Sequence, residues 1–385
     1  MGGEGYARVL FVARDEQANR LLALHALEHR ADWTSDFEGP GTSVDDKRAV
    51  NPRVSATESG LDRIGEIDVV YTWVDSCEQA WRRAYESYAP TAADSPPSAN
   101  ADERFMDREE LRYSLRSIEL HAPFVRHIFI VTADQIPSWL DTTHPKVTVV
   151  SHREVFPDPE MLPTFNSHAI EACLHRIPGL SERYLYLNDD VLLGREVAPE
   201  DFFTMSGLPK IRFGFSPIYQ GEPPRTAIPT DWAAFNAVSL IERDYGLRIP
   251  RKLKHAPLPQ VRSMLEQLEG RYPAELEVTR RARFRSHHDL AVPSMFAPFF
   301  AIATGQGVEW PHVAHEYVYA DTGRADWQAR TERILSKRPK FACLNSTRFR
   351  DISLAEQQRN LADFLEGFLP IPSSFERSTE HAPPG

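Results

Sequence analysis

The chain has 385 residues, 42% hydrophobic and 26% charged, the balance of an ordinary globular protein with one large α/β domain and insertions, or two smaller domains. A formal net charge of -11 argues against a non-specific nucleic-acid binder, so phosphates on any substrate must be met by local Arg, Lys or metal. There is no apolar run of about 18 residues and no signal-type apolar region, and Cys77, Cys173 and Cys343 are scattered without a CxxC, so a cytoplasmic protein with no transmembrane segment, disulfide framework or zinc site is expected.

Residues 1–60 read as a variable segment: Arg8–Ala13 (RVLFVA) is a candidate strand, Gln17–His29 an amphipathic helix, and Asp32–Ser59 a polar linker. Ile67–Val74 (IDVVYTWV) is a buried-strand signal ending in Asp75 and Ser76. In open α/β sheets such strand ends face the ligand crevice, which makes Asp75 a candidate contact. Tyr88–Asp102, rich in Pro, Ser and Ala, reads as a flexible loop and candidate lid. Asp107 and Glu110 form a capping-box-like start to a helix at Glu109–His121, with Leu111, Leu115 and Ile118 as its apolar stripe. Arg112 and Arg116, one turn apart on it, are candidate phosphate contacts. His127–Thr132 (HIFIVT) and Lys146–Val150 (KVTVV) are further core strands. Strand, helix, strand at these spacings predicts a Rossmann-like α/β fold, with a mostly parallel sheet and helices on both faces.

The densest stretch is Pro163–Gly194, PTFNSHAIEACLHRIPGLSERYLYLNDDVLLG. Asn166 or Ser167 can cap a helix whose apolar stripe is Ile170, Cys173, Leu174 and Ile177, with His168, Glu171 and His175 sharing another face. Arg183–Leu187 (RYLYL) is a strand, and Asn188, Asp189 and Asp190 sit at its C-terminal end. Two adjacent carboxylates there suit a hard cation such as Mg²⁺ or Mn²⁺.

Further on, Glu196–Pro224 reads as short strands and turns and Trp232–Arg243 as a helix carrying Asn236. His255 precedes a Pro-bracketed turn expected to open a helix near Pro259; a His at a helix N-terminus is kept neutral, as a general base requires. Arg281–Leu290 (RARFRSHHDL) concentrates basic residues around Arg285. Pro339–Asn345 (PKFACLN) reads as a packed strand near the site, Ile352–Phe368 as a helix, and residues 377–385 as a disordered tail.

Arg104–Leu140 and the LPTFNSHAIEACLHRIPGLSERYLYLNDDVLLG run together resemble the second conserved region of the Stealth family of sugar-phosphate transferases. IDVVYTWVD resembles the first region, although Ser76-Cys77-Glu78-Gln79 replaces a Gly-Ser-Asp-Pro-like loop. HAPLP and the Arg285 segment resemble the third region, and PKFACLN the fourth, with Ser346 where an acidic residue is usual. Residues 67–81, 104–205, 250–290 and 339–350 carry the match, placing a catalytic domain at 61–376.

The resemblance implies a nucleotide-sugar transferase fold of the GT-A-like type. It implies transfer of a hexose- or N-acetylhexosamine-1-phosphate from a UDP-sugar to a hydroxyl of a glycan or lipid-linked glycan, with release of UMP. Asp190 with Asp189 is then expected to hold the metal, Arg285 to meet phosphate, and His255, or failing it Glu171, to act as base. Glu171 and Asn166–His168 are expected to position the sugar, with Asp75, Asn188 and Arg112 as further donor contacts. The resemblance leaves room for a homo-oligomer and peripheral membrane association at the inner face of the plasma membrane. Two rival readings remain open: a metal-dependent glycosyltransferase releasing UDP, and a non-catalytic sugar-nucleotide or glycan-binding homologue.

Overall fold

The computed structural model describes residues 64–89, 105–311, 315–345 and 351–377, all within a compact unit spanning Glu58–Gly385. The expectations for residues 1–60, most of the Tyr88–Asp102 loop, Ser346 and the 377–385 tail beyond Arg377 lie outside the described residues.

Strand β1 (Ile67–Thr72) leads into helix α1 (Gln79–Tyr88). Helix α2 (Glu110–His121), β2 (Val125–Thr132) and β3 (Val147–Ser151) follow. Next come the short helix α3 (Ser167–Glu171), β4 (Arg183–Leu187) and β5 (Val191–Leu193). Two short strands, β6 (Lys210–Ile211) and β7 (Phe213–Pro217), precede α4 (Pro229–Tyr245), β8 (Arg251–Leu253) and β9 (Leu258–Val261). Then come α5 (Arg262–Arg271), α6 (Pro273–Arg281), α7 (Ala297–Ala303) and β10 (Val308–Glu309). The described chain closes with β11 (Tyr317–Asp321), α8 (Trp327–Lys337), β12 (Phe341–Asn345) and α9 (Leu354–Phe368). No described helix is long and apolar enough to cross a membrane.

The main sheet has the order β3-β2-β1-β4-β9; the first four strands are parallel and β9 runs antiparallel at the edge. Strand parity assigns the two faces. Ile67, Val69, Tyr71, Ile128, Ile130, Leu185 and Leu187 pack with Leu111, Leu115 and Ile118 of α2 on one side. Val70, Phe129, Val131, Tyr184 and Tyr186 pack with Ala169, Cys173, Leu174 and Ile177 on the other. The sheet is therefore covered on both faces, as the near-continuous apolar strands require.

A second sheet, β11-β12-β5, stands beside the first, with β11 and β12 parallel and β5 antiparallel to β12. The chain steps from the main sheet to this one through Asn188, Asp189 and Asp190 alone. The Leu344 N–H donates to the Asp190 carbonyl at 2.8 Å and fixes that step.

Three sequence expectations are corrected. The helix read through Ile177 stops after Glu171 and continues as a 3₁₀ turn at Leu174–Arg176. The Ala172 carbonyl accepts from Arg280 Nη2 at 2.9 Å, and the Arg176 N–H turns to Cys173 instead. His255 does not sit at a helix N-terminus, because Leu258–Val261 is a strand paired with β4 and the helix begins only at Arg262. Pro259 is tolerated there because β9 is an edge strand. Asp107 is not the N-cap of α2: that position is Glu109, at φ 64°, and Asp107 Oδ1 accepts the Glu109 N–H at 3.0 Å.

Candidate active site

Two groups of polar side chains gather around the C-terminal end of β4. The first is centred on Asp190. Its Oδ2 lies 3.7 Å from His255 Nδ1 and 3.6 Å from Cys343 Sγ, and accepts from Asn345 Nδ2 at 3.2 Å. Cys343 Sγ is in turn 3.4 Å from His255 Nδ1. Cys343 and Asn345 come from β12, Asp190 from the step between sheets, and His255 from the link between β8 and β9. With Nδ1 facing Asp190 and Cys343, the half-exposed imidazole has Nε2 left for a substrate proton.

Asp189 stands in a field of like charge. Burial pushes its carboxyl well above the usual carboxylate range, and Glu110, Asp190 and Asp107 add to the push. Burial likewise raises Glu110 to about 7, against the opposing pull of Arg108 3.6 Å away, and raises Asp107. Below them Tyr71 and Ser114 share a hydrogen bond of 2.6 Å, and Ser114 Oγ donates to the Val191 carbonyl. Asp190 Oδ1 is buried without a hydrogen-bond partner among the described residues. Buried carboxylates crowded in this way are stabilised by a cation. The oxygen pair of Asp189 and Asp190 fits a hard divalent ion. Asp190, His255 and Cys343 also bring donor atoms within 4.8 Å of one another, a mixed set suited to softer metals. Burial and Asp190 push the Cys343 thiol far up, which disfavours the thiolate such a site needs, so the carboxylate oxygens are the better fit.

The second group is centred on Asp289, which is fully buried. It accepts from His168 Nδ1 at 3.1 Å, Asn166 Nδ2 at 3.0 Å, Ser286 N–H at 3.0 Å and Ser286 Oγ at 2.7 Å. Burial pushes the Asp289 carboxyl up, but these donors outweigh it and hold it below its ordinary range. Burial, and after it the Arg285 charge, keep the His168 imidazole neutral. Asp289 thus ties the Arg285–Ser286 loop to the start of α3. Arg285 Nη2 donates to Ser167 Oγ at 2.7 Å, and the Phe165 N–H donates to the Arg283 carbonyl at 2.7 Å. Phe165 and Phe284 stack at 5.2 Å within an aromatic cluster that includes Trp81, Tyr85 and Phe105. From α4, Asn236 donates to the His287 and Asp289 carbonyls and closes the loop from behind.

Glu171, at the end of α3, accepts from the Tyr186 hydroxyl at 3.2 Å. Tyr186 also bonds Thr72 Oγ1 at 3.1 Å, so this carboxylate is pinned to the ends of β4 and β1. Burial lowers the Arg285 pKa while Glu171, Asp289 and Tyr186 pull it back up, which places Glu171 and Arg285 in one electrostatic neighbourhood.

Among the sequence candidates, Asp190 and His255 therefore meet directly, Glu171 and Arg285 share the second group, and Asn166 serves both as cap of α3 and as donor to Asp289. Asn188 and Asp189 form the step between sheets. Asp75 follows β1 in a turn where its Oδ1 accepts the Cys77 N–H at 2.8 Å and its backbone is bracketed by Gln135. Arg112 is not brought to either group: its Nε donates to Glu376 at 2.5 Å, beside Arg116, which binds the same carboxylate. His175 faces Glu269 on α5 at 2.6 Å rather than Glu171. Sequence reasoning missed Tyr186, Glu110 and Asp289 as site residues; strand parity places Tyr184 and Tyr186 on one face, and the second was a readable signal.

Three family models match this chain: Stealth protein conserved region 2 over residues 104–211, conserved region 3 over 254–301 and conserved region 4 over 332–382. An exopolysaccharide phosphotransferase of Streptomyces coelicolor is 43% identical over 82% of this chain and 53% of its own length. A capsular polysaccharide phosphotransferase of Haemophilus influenzae is 35% identical over 73% of this chain and 78% of its own. The chain spans about half the length of the Streptomyces relatives it matches, 53% and 52% for two of them. A crystal structure of a galactosyltransferase with donor and acceptor sugar analogues covers 80% of this chain and 98% of its own, at 10% identity and a TM-score of 0.37, too slight a likeness to carry argument.

Proposed function

The chain belongs to the Stealth family, and we propose that it transfers a sugar-1-phosphate from a UDP-sugar to a glycan hydroxyl, forming a phosphodiester and releasing UMP, in the synthesis of an exopolysaccharide or capsule. The observation that carries this reading is the contact between Asp190 and His255 at the step between the sheets. It supports a reading in which His255 is the base and the neighbouring carboxylate pair would hold a cation.

In this reaction the acceptor oxygen forms a bond to the β-phosphorus. The bond from that phosphorus to the oxygen bridging the two phosphates breaks, and UMP departs with that oxygen. His255 Nε2 takes the acceptor proton, while Asp190 and Cys343 hold the ring by its Nδ1 side. Arg285 offers a planar fork of donors to the phosphoryl oxygens and is held ready by Ser167. Glu171, fixed by Tyr186, hydrogen-bonds sugar hydroxyls and so positions the donor. A divalent cation held by Asp190 and Asp189, when bound, neutralises diphosphate charge. The protein works on the cytoplasmic side, where nucleotide-sugars are made.

The test is nucleotide release. The purified protein is incubated with Mg²⁺, a panel of UDP-sugars and glycan primers. UMP is the expected product; UDP in its place would contradict phosphoryl transfer and support glycosyl transfer.

A further inference from the structure

Lys254 is a cation beside the candidate site with no acid to answer it. It directly precedes His255. Other cations of this region have carboxylate or carbonyl partners: Lys252 meets Asp231, Arg251 meets Glu309 at 3.5 Å, Lys340 meets Asp201 and, at 3.1 Å, Glu316, and Lys210 and Arg212 donate to the Glu200 and Asp201 carbonyls. Among the described residues no carboxylate lies within ion-pair distance of Lys254. Its ammonium sits instead between two aromatic rings, 4.8 Å from the centroid of Phe215 and 4.7 Å from that of Tyr317. Ring faces hold a cation in place without neutralising it, so its charge stays available to an anion.

Tyr317 connects this cation to the site. Its side chain hydrogen-bonds that of Cys343, and Asp190 is among the charges that raise its hydroxyl pKa after burial. Cys343 is in turn 3.4 Å from His255. The Lys254 ammonium is thus linked to the candidate base through the Tyr317 ring and the Cys343 thiol. On its other side Phe215 is 77% exposed, so most of its ring is open to solvent at the edge of the site. Burial lowers the Lys254 pKa, the mark of an ammonium that has lost part of its water shell. A partly dehydrated ammonium with no carboxylate partner is costly unless an anion uses it.

We propose that Lys254, held between Phe215 and Tyr317, is a substrate-phosphate subsite: the ammonium receives an oxygen of a sugar-linked phosphate and the Phe215 ring lies against the sugar that carries it. This rests on the reading above, in which sugar-linked phosphates enter and leave the site. Two sources share that chemistry. One is the diphosphate of the donor. The other is a phosphodiester already present in the acceptor, which any acceptor has once it is the product of an earlier round. Lysine serves either as a point charge.

The test is calorimetric binding to the full chain, with two probes: UDP, and a short saccharide joined by one phosphodiester. Wild type, Lys254→Met, Lys254→Arg and Phe215→Ala are compared, with a thermal melt of each. Lys254→Met is expected to weaken one probe by roughly ten- to a hundredfold at unchanged Tm, with Lys254→Arg recovering much of the loss. Loss for UDP assigns the subsite to the donor; loss for the saccharide assigns it to the acceptor. Phe215→Ala is expected to weaken the same probe by a smaller factor. Equal affinity of wild type and Lys254→Met for both probes, or no binding of either by wild type, would overturn the proposal. So would a lowered Tm in Lys254→Met that Arg does not restore with binding. Calorimetry reads binding rather than bond cleavage, so this result is independent of whether UMP or UDP is released.

Discussion

The two polar groups at the end of β4 are built on opposite principles. Around Asp289 four hydrogen bonds converge on one buried carboxylate, which stays ionised below its ordinary range. Around Asp189 and Asp190 carboxylates crowd one another. Asp189 and Glu110 are pushed up, and Asp190 Oδ1 has no partner among the described residues. The Asp289 group thus satisfies its own central carboxylate and ties the Arg285 loop to α3. The Asp190 group is not satisfied by the described protein groups, and in the proposed reaction a cation and a substrate would complete it. Preorganisation and ligand demand are thus divided between two places about one strand end.

The comparison breaks most visibly if its ligand-demanding side is removed. Asp190→Ala is expected to lower turnover by about a thousandfold, with the fold intact in circular dichroism, because among the described residues its side chain meets Asn345, Cys343 and His255 at the site. Steady-state kinetics with a UDP-sugar reads this, and full activity would remove the carboxylate from the chemistry. Breaking the complete side has the reverse signature. Asp289→Ala leaves the donors of His168 and Ser286 unmet, while Asn166 keeps the Ala282 and Phe284 carbonyls, and is expected to cost about 3–5 kcal/mol of stability, seen as a lower denaturant midpoint.

Glu110 sharpens the contrast through pH. Burial pushes its carboxyl up to about 7 in the folded state from an ordinary value of about 4.5. Between those values the unfolded chain has already lost the proton that the folded chain keeps. Stability of the metal-free protein therefore falls as pH rises from about 4.5 to 7, by on the order of 2–3 kcal/mol. Melts in chelator across that window should show the slope, Glu110→Gln should flatten it, and Mg²⁺ should reduce it. The smallest effect is expected at the hinge between the groups. Tyr186→Phe removes one hydrogen bond to Glu171 and one to Thr72, at about 1 kcal/mol each, and should raise the KM for donor more than it lowers kcat.

Much of the frame was legible because it is local. The apolar runs of β1 to β4 and the stripe of Leu111, Leu115 and Ile118 are read directly by periodicity, and RYLYL is the strand Arg183–Leu187. What escaped depends on partners distant in sequence. The helix after Glu171 breaks because Arg280, 108 residues on, takes the Ala172 carbonyl. Pro259 suggested a helix start, yet β4 recruits it as an edge strand. Asp107 and Glu110 read as a capping box, but the fold brings them to Asp189, across the sheet step. Arg112 read as a phosphate contact, and Glu376 claims it instead. The carboxylate pair itself was legible; the charges that crowd it were not, since no local pattern records which acids a fold brings together.

The central claim is that the chain breaks the bond from the β-phosphorus to the oxygen bridging the two phosphates and not the bond from the sugar oxygen to the anomeric carbon. The most direct measurement uses a UDP-sugar carrying ¹⁸O in the bridge between the anomeric carbon and the β-phosphorus. After turnover, mass spectrometry locates the label. Sugar-phosphate transfer predicts that it stays in the new phosphodiester, between sugar and phosphorus, with unlabelled UMP released. Label leaving with UDP would place the attack at the anomeric carbon and contradict the account.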